Sequence, residues 1–360
     1  MEFSARFLRL KDVLLSAGAP KYRLDQLIRQ LYGGKVTAVA DLKSLGTHAQ
    51  KAIETQFGPN LLTLNCVSVS EAPRATKVLF ECKDGVRIEA VALKFASHTS
   101  LCISSQAGCS FNCSFCATGK IGLKRQLTVD EISDQVLYFQ ANGVRADSVS
   151  FMGMGEPLAN PRVFDTLKLL TDSRAFGLSA RRLNISTSGV LPGIKKLNQQ
   201  HPQVNLAFSL HSPFPEERNI LVPANRMYPF SEVFTLLDER IALTGVNDSP
   251  EHAKALAALI RDRRRTTRHL YHVSLIEYND GNAILCAGNL QNMPPQGVPS
   301  TLRRADSKRL QQFEEVLDAA SISHSRRNYF GRDIDAACGQ QFAAYDPEPK
   351  RKANCPVPAS

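Results

Sequence analysis

Residues 101–120 read LCISSQAGCSFNCSFCATGK. A strand-like start, LCISS, runs into a loop that carries Cys109, Cys113 and Cys116 at the spacing C-x3-C-x2-C. Three thiolates from one short loop can hold three irons of a 4Fe–4S cluster, whose usual complement is four cysteines, and this leaves one iron open to a small molecule. A closed zinc site needs four ligands, usually from two C-x2-C knuckles, and only one such knuckle stands here. Haem attachment does not fit either, because Ala117 and not histidine follows Cys116. Nine cysteines, behind an N-terminus (MEFSARFLRLKD) that has no apolar secretory core, point to metal or thiol chemistry in a reducing, cytoplasmic setting.

Downstream of this loop, strands and helices alternate. DSVSFMG, RLNISTS, VNLAFSL and LYHVSLIEY are strand-like; TVDEISDQVLYFQANG, PRVFDTLKLLTD, PFSEVFTLLDERIAL and SKRLQQFEEVLDAA are helix-like. Thr128 with Glu131 has the form of a capping box. Such alternation predicts an α/β fold with a parallel sheet, open or closed into a barrel, whose ligands sit at the C-terminal strand ends. GMGEP (Gly153 to Pro157), Ser186, the run Ser209-Leu210-His211, and Asn279 all fall at such ends. A glycine-rich turn after a strand is usually only a turn. Four polar strand ends in step with a cysteine loop point further, to a bound cofactor.

Upstream, residues 1–60 read as helical. Leu8, Val13, Leu14 and Ala17 recur at helical spacing, and a second helix runs from about Tyr22 to the Gly33-Gly34 pair. TLNCVSVS, TKVLFEC and VRIEAVALKF are short β runs, with KDG as a turn between the last two. The expected organisation is a helical accessory domain over 1–60, a small β-extension over 61–97, a core over 98–345 and a disordered, Pro-rich and charged tail over 346–360. No run approaches the ~20 apolar residues of a membrane span, so no membrane partner is expected.

The cysteine spacing, with Phe115 before the last cysteine, resembles the radical S-adenosylmethionine (SAM) superfamily, which implies a partial (β/α) barrel. At GMGEPLAN, NISTSGVLPGI, FSLHSP and DIDAACGQ the chain is similar to the radical-SAM ribosomal RNA adenine methyltransferases, over roughly residues 20–345. That family has a carbon-2 branch (RlmN) and a carbon-8 branch (Cfr), and the latter confers resistance to peptidyl-transferase-centre antibiotics. The resemblance implies that Cys109, Cys113 and Cys116 hold a 4Fe–4S cluster. It implies that Gly155, Glu156, Ser186, Ser209, Leu210, His211 and Asn279 contact SAM, used twice per turnover. It makes Cys338 the methyl-carrying cysteine, Cys102 its thiol partner and Glu89 the proton acceptor. Glu89, beside Arg87, also reads as a surface ion-pair residue, and Cys102 and Cys338 as small buried hydrophobes.

LTVDEISDQVLYF, SLHSPFPEER and FGRDIDAACGQ have the texture of the carbon-8 branch. The expected substrate is then 23S ribosomal RNA, as a protein-poor precursor, with a reductase and flavodoxin-like electron donor as partner and a monomeric enzyme. Alternatives are carbon-2 methylation of 23S ribosomal RNA and transfer RNA, an impaired homologue, another radical-SAM enzyme, or a non-enzymatic RNA-binding protein. Two departures from the family stand out. The segment around Thr244 is short, which predicts a missing barrel strand, and a Gly/Asn/Pro-rich insert follows Asn279.

Charge fits a nucleic-acid partner. The net charge is +10, and its distribution is uneven. Residues 1–100 carry 14 Lys/Arg against 9 Asp/Glu, residues 101–260 carry 15 against 14, and residues 261–360 carry 15 against 11. A near-neutral middle with basic flanks suits a small-molecule core beside a polyanion-binding surface. RDRRRTTRH, RRADSKR and SRRNYFGR are candidate phosphate contacts, with Tyr329 or Phe330 as stacking platforms, although each also reads as a solvated helix end or a packed aromatic.

Overall fold

The computed structural model describes residues 4–34, 36–237, 249–263, 271–276, 306–326, 334–336 and 340, and the backbone of 243–244. Three helices open the chain: α1 (Ala5–Ser16), α2 (Lys21–Tyr32) and α3 (Thr47–Phe57). Helix α2 stops where expected, with Gly33 as its C-cap. The buried stripe of α1 differs from the sequence reading. It is Phe7, Leu10 and Leu14, whereas Leu8 is 39% exposed. Arg6 supplies the reason. This fully buried side chain turns the helix so that its guanidinium, and not Leu8, faces inward.

Arg6 meets α5 (Val129–Ala141), and there it fixes the helical unit to the rest of the chain. Its Nη1 donates to Asp134 Oδ1 at 2.5 Å and its backbone N–H to Asp130 Oδ2 at 2.8 Å. Ser4 donates to the other oxygen of Asp130, and Thr63 donates to Asp134 through both N–H and hydroxyl. The surrounding core joins Leu27, Leu31 and Ile53 to Val129 and Leu137. Removing one partner of a buried ion pair strands the other charge, at a cost of about 3–5 kcal/mol. Arg6→Met is therefore expected to lower stability by about that amount, read as a shift in the urea denaturation midpoint; an unchanged midpoint would show that Asp134 needs no partner.

Twelve strands are described, and ten form one sheet, in the order β1-β2-β3-β4-β7-β8-β9-β10-β11-β12. Strands β1 (Leu64–Ala72), β2 (Ala75–Cys82) and β3 (Arg87–Lys94) pair antiparallel, and β3 pairs antiparallel with β4 (Thr99–Cys102). The β-extension is thus an edge of the main sheet. From β4 onward every pairing in this sheet is parallel, through β7 (Ser148–Phe151), β8 (Leu183–Thr187), β9 (Asn205–Ser209), β10 (Leu243–Thr244), β11 (His272–Leu275) and β12 (Ser323–Arg326). Helices α5, α6 (Arg162–Thr171), α7 (Leu191–Gln200), α9 (Phe230–Leu237), α10 (Pro250–Arg261) and α11 (Ser307–Ala319) alternate with the parallel strands. No closure of β12 onto β4 is seen among the described residues, so the fold is an α/β, partial (β/α) barrel.

The expected loss of a strand near Thr244 is corrected. The two-residue β10 pairs parallel with both β9 and β11, Leu243 lying between Phe208 and Val273. Two residues suffice because each neighbour needs only a short ladder there. The insert after Asn279 lies outside the described residues, as do the tail and the cluster 327–333.

Candidate active site

The cysteine loop is carried by a small ribbon. Strand β5 (Gln106–Ala107) pairs antiparallel with β6 (Arg125–Gln126), which brings the two ends of the loop together. Lys124 N–H donates to Ala107 O at 2.8 Å, one step further in. Gly108 has φ +77°, and a Cβ there would stand 1.8 Å from the carbonyl oxygen of Gly122, so only glycine allows this closure. Cys116 then caps the short helix α4 (Ala117–Ile121), and its N–H donates to Cys113 O at 3.1 Å.

The three thiols are half-buried and free. Burial pushes Cys109 up to about 12 and holds Cys113 well above the ordinary thiol value, with a neighbouring thiol and Glu156 adding to each shift. Glu156 stands at the base of the same loop, its N–H donating to Gln106 Oε1 at 2.7 Å. No three His, Cys, Asp or Glu side chains among the described residues gather as ligands of a single ion. The donor set suits a larger group: three thiols on a pinned loop, spaced to grip a cubane from one side. Binding such a group requires the thiols to lose their protons.

Against this loop stand the C-terminal ends of β4, β7, β8 and β9, which are neighbours in the sheet. The GMGEP turn follows β7. A Cβ on Gly153 would lie 2.7 Å from the Ile103 carbonyl and from Ser104 N, so the turn presses directly on the backbone after β4. Gly153→Ala is expected to force that contact apart, costing about 1–3 kcal/mol by overpacking and weakening cofactor binding, measured by calorimetric titration with SAM; wild-type affinity would refute the close approach. Gly155, at φ +98°, would place a Cβ 2.4 Å from Gln106 Cβ.

Glu156 links β7 to β8. Its Oε1 accepts from Thr187 Oγ1 at 2.7 Å and Leu158 N–H at 3.1 Å, and its Oε2 from the N–H and hydroxyl of Ser188 at 2.8 and 2.9 Å. The buried carboxylate, raised first by desolvation and held down by these donors, thus ties two turns of the site together. Ser186 and Ser209 bring their hydroxyls to 3.2 Å across β8 and β9. His211, left-handed at φ +61°, sets its ring 4.1 Å from that of Phe115 in the cysteine loop. Burial, with nearby Arg218 adding to it, holds the imidazole down to about 3, so it is neutral at physiological pH. Leu210 is buried, and its carbonyl accepts from Arg218. Gly155, Glu156, Ser186, Ser209, Leu210 and His211 therefore line one end of three adjacent strands, beside the thiols. Asn279 lies outside the described residues.

A second cluster forms on one face of the same sheet, at β3 and β4. Cys102 pairs with Val91 of β3, and both pack with Ile334 and Ala336, which lead to Cys338. Cys338 itself lies outside the described residues. Glu89 is two residues before Val91 and so shares its face of β3. It is 3% exposed, and Lys77 Nζ stands 3.5 Å from its Oε1 and donates to Asp335 O at 3.4 Å. Glu89 is thus no surface residue; the surface partner of Arg87 is Glu81, at 3.0 Å.

Sequence reading missed Lys77, Thr187, Ser188, Gln106 and Arg218. Thr187 and Ser188 stood in a quoted motif, but only their distance from a buried carboxylate reveals a task. Arg218 follows two glutamates in PEER, which reads as a solvated helix surface.

Residues 103–262 match the Radical SAM superfamily. The chain is 43% identical over 353 residues to a protein of Staphylococcus warneri named ribosomal RNA large subunit methyltransferase Cfr, covering 94% of this chain and 97% of that one. The protein of the same name from Lachnoclostridium phytofermentans is 42% identical, covering 95% and 99%. Among solved structures, a radical SAM methyltransferase from Sphaerobacter thermophilus superposes with a TM-score of 0.82 at 31% identity, over 95% of this chain and 100% of that one.

Proposed function

The chain belongs to the radical-SAM ribosomal RNA methyltransferase family that includes the Cfr proteins, and from that premise we propose that it methylates carbon 8 of an adenosine in 23S ribosomal RNA. The observation that carries this reading is that Cys102 and the segment Ile334–Ala336 pack on one face of β3 and β4, with Glu89 joined to that segment through Lys77. A route through a methylated cysteine needs two thiols and a base in one place, and neither the cluster nor SAM binding alone asks for them.

In this proposal Cys109, Cys113 and Cys116 hold the 4Fe–4S cluster. Gly155, Glu156, Ser186, Ser209, Leu210, His211 and Asn279 surround SAM. When bound, the cluster supplies the electron that cleaves SAM to a deoxyadenosyl radical. Cys338 takes a methyl group from a first SAM and, after losing a hydrogen atom to the radical derived from a second, presents it as a methylene to the electrophilic ring carbon. Glu89 removes the ring proton, with Lys77 Nζ 3.5 Å from its Oε1. Cys102 attacks the sulfur of Cys338, the freed methylene carbon takes up a proton, the one electron left over would return to the bound cluster, and the resulting disulfide is reduced by an external thiol.

Residues 1–60 act as the accessory domain, 61–97 as the β-extension, 98–345 as the catalytic core and 346–360 as the tail. The substrate is a protein-poor precursor, bound by a cytoplasmic monomer that draws electrons from a reductase and flavodoxin system. No helix of the described residues is long and apolar enough to cross a membrane. The names of the Cfr relatives and the texture of residues 126–139, 209–218 and 330–341 favour carbon 8 over carbon 2. Nucleoside digestion and mass spectrometry of ribosomal RNA from cells with and without the gene tests this. 8-Methyladenosine is expected, together with resistance to peptidyl-transferase-centre drugs. Exclusive 2-methyladenosine would place the chain in the carbon-2 branch, and no methylation would mark an impaired homologue.

A further inference from the structure

Arg218 lies on the short helix α8 (Pro215–Leu221) and is fully buried. No carboxylate pairs with it among the described residues. Its Nε donates to Leu210 O at 2.8 Å, its Nη1 to Asn225 Oδ1 at 2.6 Å, and its Nη2 to Ser188 O at 2.7 Å and Ser209 O at 3.1 Å. The guanidinium also lies 4.9 Å from the Phe208 ring centroid. Every acceptor is neutral. A buried charge without a counter-charge is costly, and chains rarely keep one without a use.

Arg6 makes the comparison within this molecule. It is equally buried, but two aspartates answer its charge. Nothing equivalent answers Arg218. What lies near it is the cysteine loop. Leu221, one turn after Arg218, accepts from the N–H of Ser114 at 3.0 Å, and Ser114 directly follows Cys113. His211, beside the Leu210 that Arg218 holds, packs on Phe115 of the same loop.

We infer that Arg218 is the fixed counter-charge of the cluster site, balancing the thiolates of Cys109, Cys113 and Cys116 and so setting how readily the bound cluster accepts an electron. This rests on the cluster assignment above. Cluster potentials follow net charge, hydrogen bonding and exposure. Here the first of these is the lever, because the donors of Arg218 are committed to carbonyls and not to sulfur. A positive charge in a low-dielectric setting favours the more negative, reduced state. The electron comes from an external one-electron donor and, with no SAM bound, would stay on the cluster. The same carbonyls belong to the turns after β8 and β9, so the charge that favours reduction is built into the frame that surrounds the cofactor.

The test is a redox titration of the reconstituted protein, followed by electron paramagnetic resonance. Asn225→Asp is the decisive variant. It keeps the acceptor used by Arg218 and by the Phe230 N–H, at 3.0 Å, and adds the missing carboxylate. The expected result is a more negative midpoint, with the reduced fraction at a fixed poise falling about tenfold, equivalent to about 59 mV for a one-electron couple. Arg218→Gln should shift the midpoint in the same direction, and Arg218→Lys should stay near wild type. An Asn225→Asp protein with the wild-type midpoint would overturn the inference, as would equal shifts in Arg218→Lys and Arg218→Gln. Loss of cluster from all three folded variants would also overturn it, since Arg218 would then hold turns and not charge. If the wild-type protein takes up no cluster, the failure lies in the cluster assignment itself.

Discussion

Cys113→Ala is expected to give a folded protein that takes up no 4Fe–4S cluster and cleaves no SAM. The fold should survive because the loop is closed without the thiols. Its ends are held by the β5–β6 ladder, and its close approach is between Gly108 and Gly122. The cluster should not survive, because three-point ligation has no spare. No fourth cysteine stands in the loop, and the other cysteines among the described residues lie elsewhere: Cys66 on β1, Cys82 inside the main core and Cys102 on β4. Cys109→Ala and Cys116→Ala should behave alike. Iron and sulfide content, with near-ultraviolet circular dichroism for the fold, provides the check. A Cys113→Ala protein that still binds iron and sulfide and reductively cleaves SAM would remove the cluster assignment.

Much of this arrangement was legible in the sequence, and the reasons differ element by element. Strands β7, β8 and β9 are short apolar runs ended by glycine, serine or histidine, so their type and their functional ends showed together. Helix α5 declared itself by Thr128 and Glu131, whose reciprocal capping bonds are present. Other elements carried weaker marks. β12 is Ser-His-Ser-Arg, with no apolar period, and it is a strand because β11 offers it a parallel ladder. β10 is too short for any pattern. Helices α7 and α8 begin at Leu191-Pro192 and Pro215, and their few apolar residues are dispersed among polar ones. Buried charge was least legible. Arg6 and Arg218 look like surface residues until partners 124 to 128 positions away, or carbonyls from two other turns, are placed beside them.

The same distinction separates the two halves of the candidate site. The cofactor half lies on consecutive strand ends, where local motifs suffice. The thiol half is assembled from the consecutive strands β3 and β4 and from residues near 335, far away in the chain, and only the fold brings these together. Glu89 shows the consequence. Its neighbour Arg87 suggested a surface ion pair. The two side chains share a face of β3, but Arg87, at the start of the strand, stands directly opposite Glu81 and pairs with it, while Glu89, further along and buried, meets Lys77.

Cys102→Ala is expected to abolish turnover and leave the protein covalently attached to its RNA. The argument is geometric. Cys102 ends β4, half-buried, opposite Val91 and packed against the small cluster of Val91 and Ala336 on which Ile334 also packs. A thiol there is within a few residues of Cys338 along the packed segment, whereas the cluster cysteines are held on a separate ribbon. If a methylene group joins Cys338 to the base, release requires a second sulfur to attack the first. Alanine fills nearly the same volume and supports the same packing, so the fold and the cluster should be retained while that attack is lost. The intermediate should then accumulate, one RNA per protein, as a band that survives denaturing electrophoresis and disappears on nuclease digestion. Adding Glu89→Ala tests the order of events, since proton removal precedes release; the double variant should still form the adduct, with the ring proton retained. Normal turnover by Cys102→Ala would make this thiol a packing residue. The absence of any adduct in a cluster-loaded, SAM-cleaving Cys102→Ala protein would count against transfer through Cys338 altogether.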